Sequence, residues 1–137
     1  MQEAFYNVQL AGFVSSSNRA TSISKKDADA GIELDMAMTV GYGGHSAPLG
    51  GGSIGIIESG HSQQEIAAAL EFVKFLMRDE LVASNHIETG VLPTTYAPAN
   101  GETLQTFWAD LANEGYKLSY EQVPSGSAPK MSIYTSE

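Results

Sequence analysis

Between Ile32 and Val40 the chain alternates, with Ile32, Leu34, Met36, Met38 and Val40 on one side and Glu33, Asp35, Ala37 and Thr39 on the other. A period of two predicts a strand with one face buried. An earlier strand is predicted over Val8 to Val14, where Val8, Leu10, Gly12 and Val14 alternate with Gln9, Ala11 and Phe13. Ser53-Ile54-Gly55-Ile56-Ile57 reads as a short buried strand. Polar Ser15 to Arg19 and the Lys25-Lys26-Asp27 region read as turns, and residues 41–52 as a glycine-rich loop. The period then changes. Ile66, Ala69, Leu70, Val73 and Met77 recur at helical spacing, broadened by Phe72, Phe75 and Leu76. Ser62 and Glu65 form a capping box, so this helix starts at Ser62, and Glu71 pairs with Lys74 on its wet side. Asp79 caps a second, shorter helix that ends before Gly90. Leu92-Pro93 restarts extended backbone. A third helix spans Glu102 to Glu114, with Leu104, Phe107, Trp108 and Leu111 on its stripe and Gly115 as its stop. After Tyr120 the chain is rich in Pro, Ser and Gly. Strands first and helices later make the class α/β or α+β.

Composition narrows the picture. The 137 residues suit one domain, and 42% apolar against 17% charged residues favour a packed core over disorder. A formal charge of -9 repels phosphate backbones and argues against nucleic-acid binding. No apolar run approaches a membrane span, and Met1 is followed by Gln2 and Glu3 where an export signal would be basic. With no cysteine there is neither a disulfide nor a thiolate zinc site.

The sharpest catalytic pattern is Gly51-Gly52-Ser53-Ile54-Gly55, which matches G-x-S-x-G. That chemistry needs the serine on a tight strand-to-helix turn, whereas Ile54, Gly55, Ile56 and Ile57 favour a strand after it. Of the downstream histidines, His61 and His86, only His86 follows an Asp, Asp79, in the required order. No Gly-Lys-Ser/Thr follows the loop, so it is not a P-loop, although its backbone N–H groups can face hydroxyls or a phosphate. His45, His61 and His86 lack ligand-like spacing and read as surface or hydrogen-bonded histidines. Asp27, Asp29, Glu33 and Asp35 lack the glycine and closing Glu of a calcium loop and read as a solvated acidic face. Tyr42, Tyr96 and Tyr116 can stack on a sugar ring, while Phe107 and Trp108 belong to a core stripe. Ser15, Ser16 and Ser17 are either ligand-facing hydroxyls or a plain turn.

Several of these segments stand in an order shared by one large family. Gly50-Gly51-Gly52-Ser53-Ile54-Gly55-Ile56 is followed by a capped helix with Ala69-Leu70-Glu71-Phe72-Val73-Lys74-Phe75-Leu76, and then by Thr89-Gly90-Val91-Leu92-Pro93. Upstream come Val14-Ser15-Ser16-Ser17 and Ile23-Ser24-Lys25-Lys26. The set resembles the extracellular solute-binding proteins of ABC importers, in the group that binds sugars, oligosaccharides and glycerol phosphates. The resemblance covers nearly the whole chain and corresponds to the C-terminal portion of such a protein.

That resemblance implies part of a type II periplasmic-binding-protein-like fold, with two lobes that close on a ligand by hinge motion. Residues 1–50 would end the second lobe, 51–60 would be the crossover strand between lobes, and 61–137 the helical return to the first lobe. It implies binding without catalysis, and no cofactor or metal. The ligand-facing positions would be Ser16, Ser17, Tyr42, Gly50, Gly51, Gly52, Ser53 and Val91. Val91 replaces the family's frequent aromatic, and Ser132 after Pro129 stands where glycerol-phosphate binders carry an arginine, which favours a neutral saccharide. The partners implied are a small saccharide or polyol derivative and a membrane permease, in a periplasmic or extracellular setting with the parent protein attached to the membrane. Self-association of the isolated piece is also expected, since half of a two-lobe protein exposes its lobe face. Two other readings compete: a stand-alone interaction module, and a serine hydrolase acting through Ser53.

Overall fold

The computed structural model describes residues 1–41, 44, 45 and 47–126. It is built on helices: α1 (Gln2–Tyr6), α2 (Ala20–Ala30), α3 (Gln63–Leu76), α4 (Asp79–Thr89), α5 (Tyr96–Asn100), α6 (Glu102–Ala109) and α7 (Glu114–Glu121), with 3-10 turns at Ser17–Arg19, Leu111–Asn113 and Val123–Ser125. No helix among the described residues is long and apolar enough to cross a membrane.

The core lies where α2, α4, α5, α6 and α7 meet. Ala20, Ala83, Ala99, Leu104, Trp108 and Tyr116 form its buried cluster, with Met36, Ile87, Phe107 and Tyr120 packed around it. Alanine at positions 20, 83 and 99 keeps the helix surfaces flat enough to approach closely. The aromatic rings fill what remains, in edge-on contact between Phe107 and Tyr116 (centroids 5.2 Å apart) and a stack of Trp108 on Tyr120 at 5.3 Å.

The expected α/β fold with strands first is not what forms. Among the described residues the one ladder joins Val40 to His45 and Gly41 to Gly44, two residues a side. The first predicted strand is displaced by α1 and a turn in which Val8 takes φ +57° with its side chain in water. The second keeps its alternation without a sheet. Ile32, Leu34, Met36 and Met38 are half-buried while Glu33, Asp35 and Ala37 are exposed. The helical body takes the place of a neighbouring strand. Met36 lies across Gly115, where any Cβ would overlap its side chain. The amide of Gln122 spans the backbone of Thr39, donating from Nε2 to its carbonyl at 3.0 Å and accepting its N–H at 3.4 Å. Alternation therefore reported a chain with one face inward, and the facing partner is helix.

The third predicted helix is split. α6 stops at Asp110, whose carboxylate accepts the Ala112 N–H at 3.0 Å and opens a 3-10 turn. Leu111, placed on the buried stripe by the pattern, is 85% exposed. Gly115 does not end a helix but sits buried in the first turn of α7, where the Met36 crossing demands the smallest residue.

The helix expected from Ser62 forms as read. Ser62 Oγ accepts the Glu65 N–H, and the Glu65 carboxylate accepts the Ser62 N–H at 2.7 Å. Lys74 reaches Glu71 at 2.7 Å. α4 ends at Gly90 in the left-handed conformation, φ +77°. Arg78, not Asp79, is the residue that caps α4; Asp79 is its first residue and places a carboxylate in the positive first turn.

Candidate serine-turn site

The serine turn and the end of α4 meet at one corner of the fold. Ser15 and Ser16 are exposed, and Ser17 is half-buried at the start of the 3-10 turn that leads into α2. The turn closes through Arg19 N–H donating to Ser16 O at 3.1 Å, and the Ala20 N–H donates to Ser17 O. Ser17 O also lies directly on Gly90, where a Cβ would overlap it and crowd the Ala20 methyl. Glycine is thus required at position 90 twice, by its positive φ and by this contact.

Gly90 and Val91 are held from below by a chain of hydrogen bonds that starts in the core. Trp108 Nε1–H donates to His86 Nε2 at 3.0 Å. His86 Nδ1 lies 2.9 Å from the Val91 carbonyl. An indole can only donate and a carbonyl can only accept, so His86 must be neutral with its proton on Nδ1. Burial holds its pKa below the ordinary 6.5, against the opposing pull of the Val91 carbonyl. The Val91 N–H in turn donates to Thr89 Oγ1 at 3.1 Å. Both polar backbone groups of Val91 are therefore committed, and only its side chain, 38% exposed, is free to meet a ligand.

Beside the turn, Phe13, Val14, Ser15, Arg19 and the start of α1 line an open hollow of about 390 Å³. Arg19 is already engaged there, donating to Gln2 Oε1 at 3.0 Å.

Ser16, Ser17 and Val91 are thus gathered into one region. Gly50, Gly51, Gly52 and Ser53 do not pack onto it. They lie in exposed extended backbone, and nothing stands within 4 Å of the place a Cβ would occupy at the three glycines. None of the three has positive φ, so neither packing nor dihedral angle calls for glycine there. Tyr42 lies outside the described residues, as do Pro129 and Ser132; at His45 only the backbone is described.

The nucleophile pattern at Ser53 finds none of the context it requires. The serine is on an extended run and not at a turn into a helix. His86 has both ring nitrogens occupied, and His61, half exposed, faces Glu65 at 3.9 Å. No group of three His, Asp or Glu among the described residues could hold a metal ion.

The link between His86 and Trp108 is the feature that sequence reading did not single out. Its signal was present: Val82, Ala83 and His86 fall on one face of α4, so a histidine occupies a core position and needs partners there. No family model, curated protein or solved structure matches the chain.

Proposed function

We propose that the chain works by binding and not by turnover. Its ligand is a small carbohydrate or polyol-type solute, taken at the serine turn as the recognition step of import through an ABC-type permease outside the cytoplasm. The observation that carries this reading is the contact of Ser17 with Gly90. It joins Val14-Ser15-Ser16-Ser17 to Thr89-Gly90-Val91-Leu92-Pro93, two of the segments on which the family resemblance rests, far apart in the chain. Hydroxyls that both donate and accept suit a polyol, and the Val91 side chain suits the C–H face of a sugar. The preference for a neutral solute rests on Ser132, which stands where the resemblance would place an arginine.

Titration calorimetry with neutral saccharides, polyols and polyol phosphates tests the reading. A saturable heat is expected from a neutral member, weakened about fivefold by replacing either Ser16 or Ser17 with alanine and about thirtyfold by replacing both, each change removing a hydrogen bond worth about 1 kcal/mol. Silence across the panel from a folded chain would sink the proposal. Binding of the phosphates alone would overturn the preference for a neutral ligand.

An interaction role is favoured by a separate observation, the apolar side chains of α3, none of whose residues is buried.

A further inference from the structure

His86 sits in the last turn of α4 with its side chain wholly buried. Its ring is boxed by aromatic rings, Phe107 and Trp108 from α6 and Tyr116 from α7, nearly perpendicular to it at centroid distances of 6.2, 5.4 and 5.9 Å. α2 and α5 bring Ala20 and Ala99 to the same cluster. Tyr116 is the titratable group among these neighbours, and its hydroxyl is bonded to Thr21 Oγ1 at 2.9 Å. The acids of α4 itself are Asp79, Glu80 and Glu88. Among the described residues, no carboxylate lies within ion-pair distance of the imidazole.

The core therefore has no place for a second proton on this ring. Nδ1–H already donates to the Val91 carbonyl, so the proton lands on Nε2, which accepts the Trp108 N–H at 3.0 Å. Two donors then face each other, and a cation stands among aromatic rings and alanines with no anion to offset it. One side must yield. Trp108 is buried and stacked on Tyr120 at 5.3 Å, so its retreat would unpack the core. His86 is held only by the end of a helix. Beyond it α4 has Ile87, Glu88 and Thr89 before Gly90 turns the chain at φ +77°. Unwinding that turn gives up the packing of half-buried Ile87 but carries the ring to water, where the carbonyls at the helix end suit its charge. Gly90 and Val91 move with it, because the Gly90 N–H donates to the His86 carbonyl at 2.8 Å and the Val91 carbonyl is bonded to the ring. Gly90 is also the residue on which Ser17 O rests.

We propose that His86 is an acid-sensitive latch: its protonation releases the last turn of α4 and parts Gly90 from Ser17, while the rest of the helical body stays folded. Burial holds its pKa below the ordinary 6.5 in the closed corner, and opening returns the ring to water, so acid favours the open form. Release of a solute from the serine turn in acid is a further consequence, which rests on the binding reading above.

The chain has a single tryptophan, so one indole N–H resonance reports the bond to His86. Titrating the solute-free chain from about pH 8 to about pH 4 should shift that resonance once, with a midpoint below 6.5. Below that ordinary value, amide protection factors at residues 87–91 should fall by about tenfold per pH unit, one proton being taken up on opening, while protection in α6 and α7 holds. His86→Gln has an amide that can donate to Val91 and accept from Trp108 but takes no proton, so it should keep both readouts flat. The ring nitrogens of His86 in the parent chain give a second measurement, and their protonation must share the midpoint of the opening. A different midpoint overturns the inference, and so do an indole resonance and protection factors unchanged throughout. Loss of protection in α6 and α7 together with residues 87–91 overturns it as well, since acid then melts the body as a whole. Opening of His86→Gln over the same window would overturn the assignment to His86. No solute is present in these measurements, so their outcome is independent of the calorimetry.

Discussion

Among the described residues His86 is the one buried polar side chain. It is fully buried, its two nitrogens answer two different partners, and those partners lie on different segments. Replacing it with leucine keeps much of the volume but strands the Trp108 N–H and the Val91 carbonyl without partners. Each orphaned buried group costs about 1–3 kcal/mol, so His86→Leu should lose about 2–6 kcal/mol in denaturant unfolding followed by Trp108 fluorescence. A loss below about half a kcal/mol would mean the chain of bonds from core to corner holds nothing in place. The same residue sets a pH dependence. Its folded-state pKa lies below the ordinary 6.5, so the unfolded chain takes up the proton first. Its contribution to stability is complete above that ordinary value and is lost as pH falls from there through the lowered folded value. Stability measured over this window should drop in the parent chain and drop less in His86→Leu. The sequence marked His86 as a surface or hydrogen-bonded histidine. Which atoms it bonds was not legible, because Trp108 reaches it only once α4 and α6 have packed and Val91 only once the chain has turned at Gly90.

The elements divide by how local their causes are. The Ser62 and Glu65 capping box and the Gly90 stop are made by residues within one turn of each other, and both stand where the pattern put them. Ser62→Ala removes the side-chain half of that box and should cost α3 about 1 kcal/mol. Because α3 buries none of its residues, the loss should show as faster amide exchange within α3 and leave the unfolding of the body unchanged. A matching loss in the Trp108 signal would mean that α3 is coupled to the core. The strand readings were legible only in part. Alternation correctly turned Ile32, Leu34, Met36 and Met38 inward, but a ladder needs a second backbone at hydrogen-bond distance, and helices stand there. The long third helix failed for a comparable reason. Its apolar spacing ran on to Leu111, while Asp110 found a local bond that ends α6 and Met36 needed Gly115 for its crossing.

At the scale of the whole molecule there are two parts with different claims to stability. The body holds the buried cluster and the single tryptophan; α3 with residues 54–57 holds an open apolar groove. Thermal unfolding of the dilute chain should therefore be non-coincident, with part of the helical circular dichroism lost before Trp108 fluorescence changes. A single coincident transition would show one cooperative unit. What the sequence determined by itself was local: the caps, the apolar stripe of α3, the inward face of residues 32–38 and the acidic surface charge, each set by neighbours a few residues apart. What the tertiary structure alone decided was who faces whom: that helices and not strands cover the alternating segment, that Ser17 meets Gly90, and that Trp108 reaches His86. Those contacts join residues distant in the chain, so they depend on the packed arrangement of all the helices, and no local pattern encodes them.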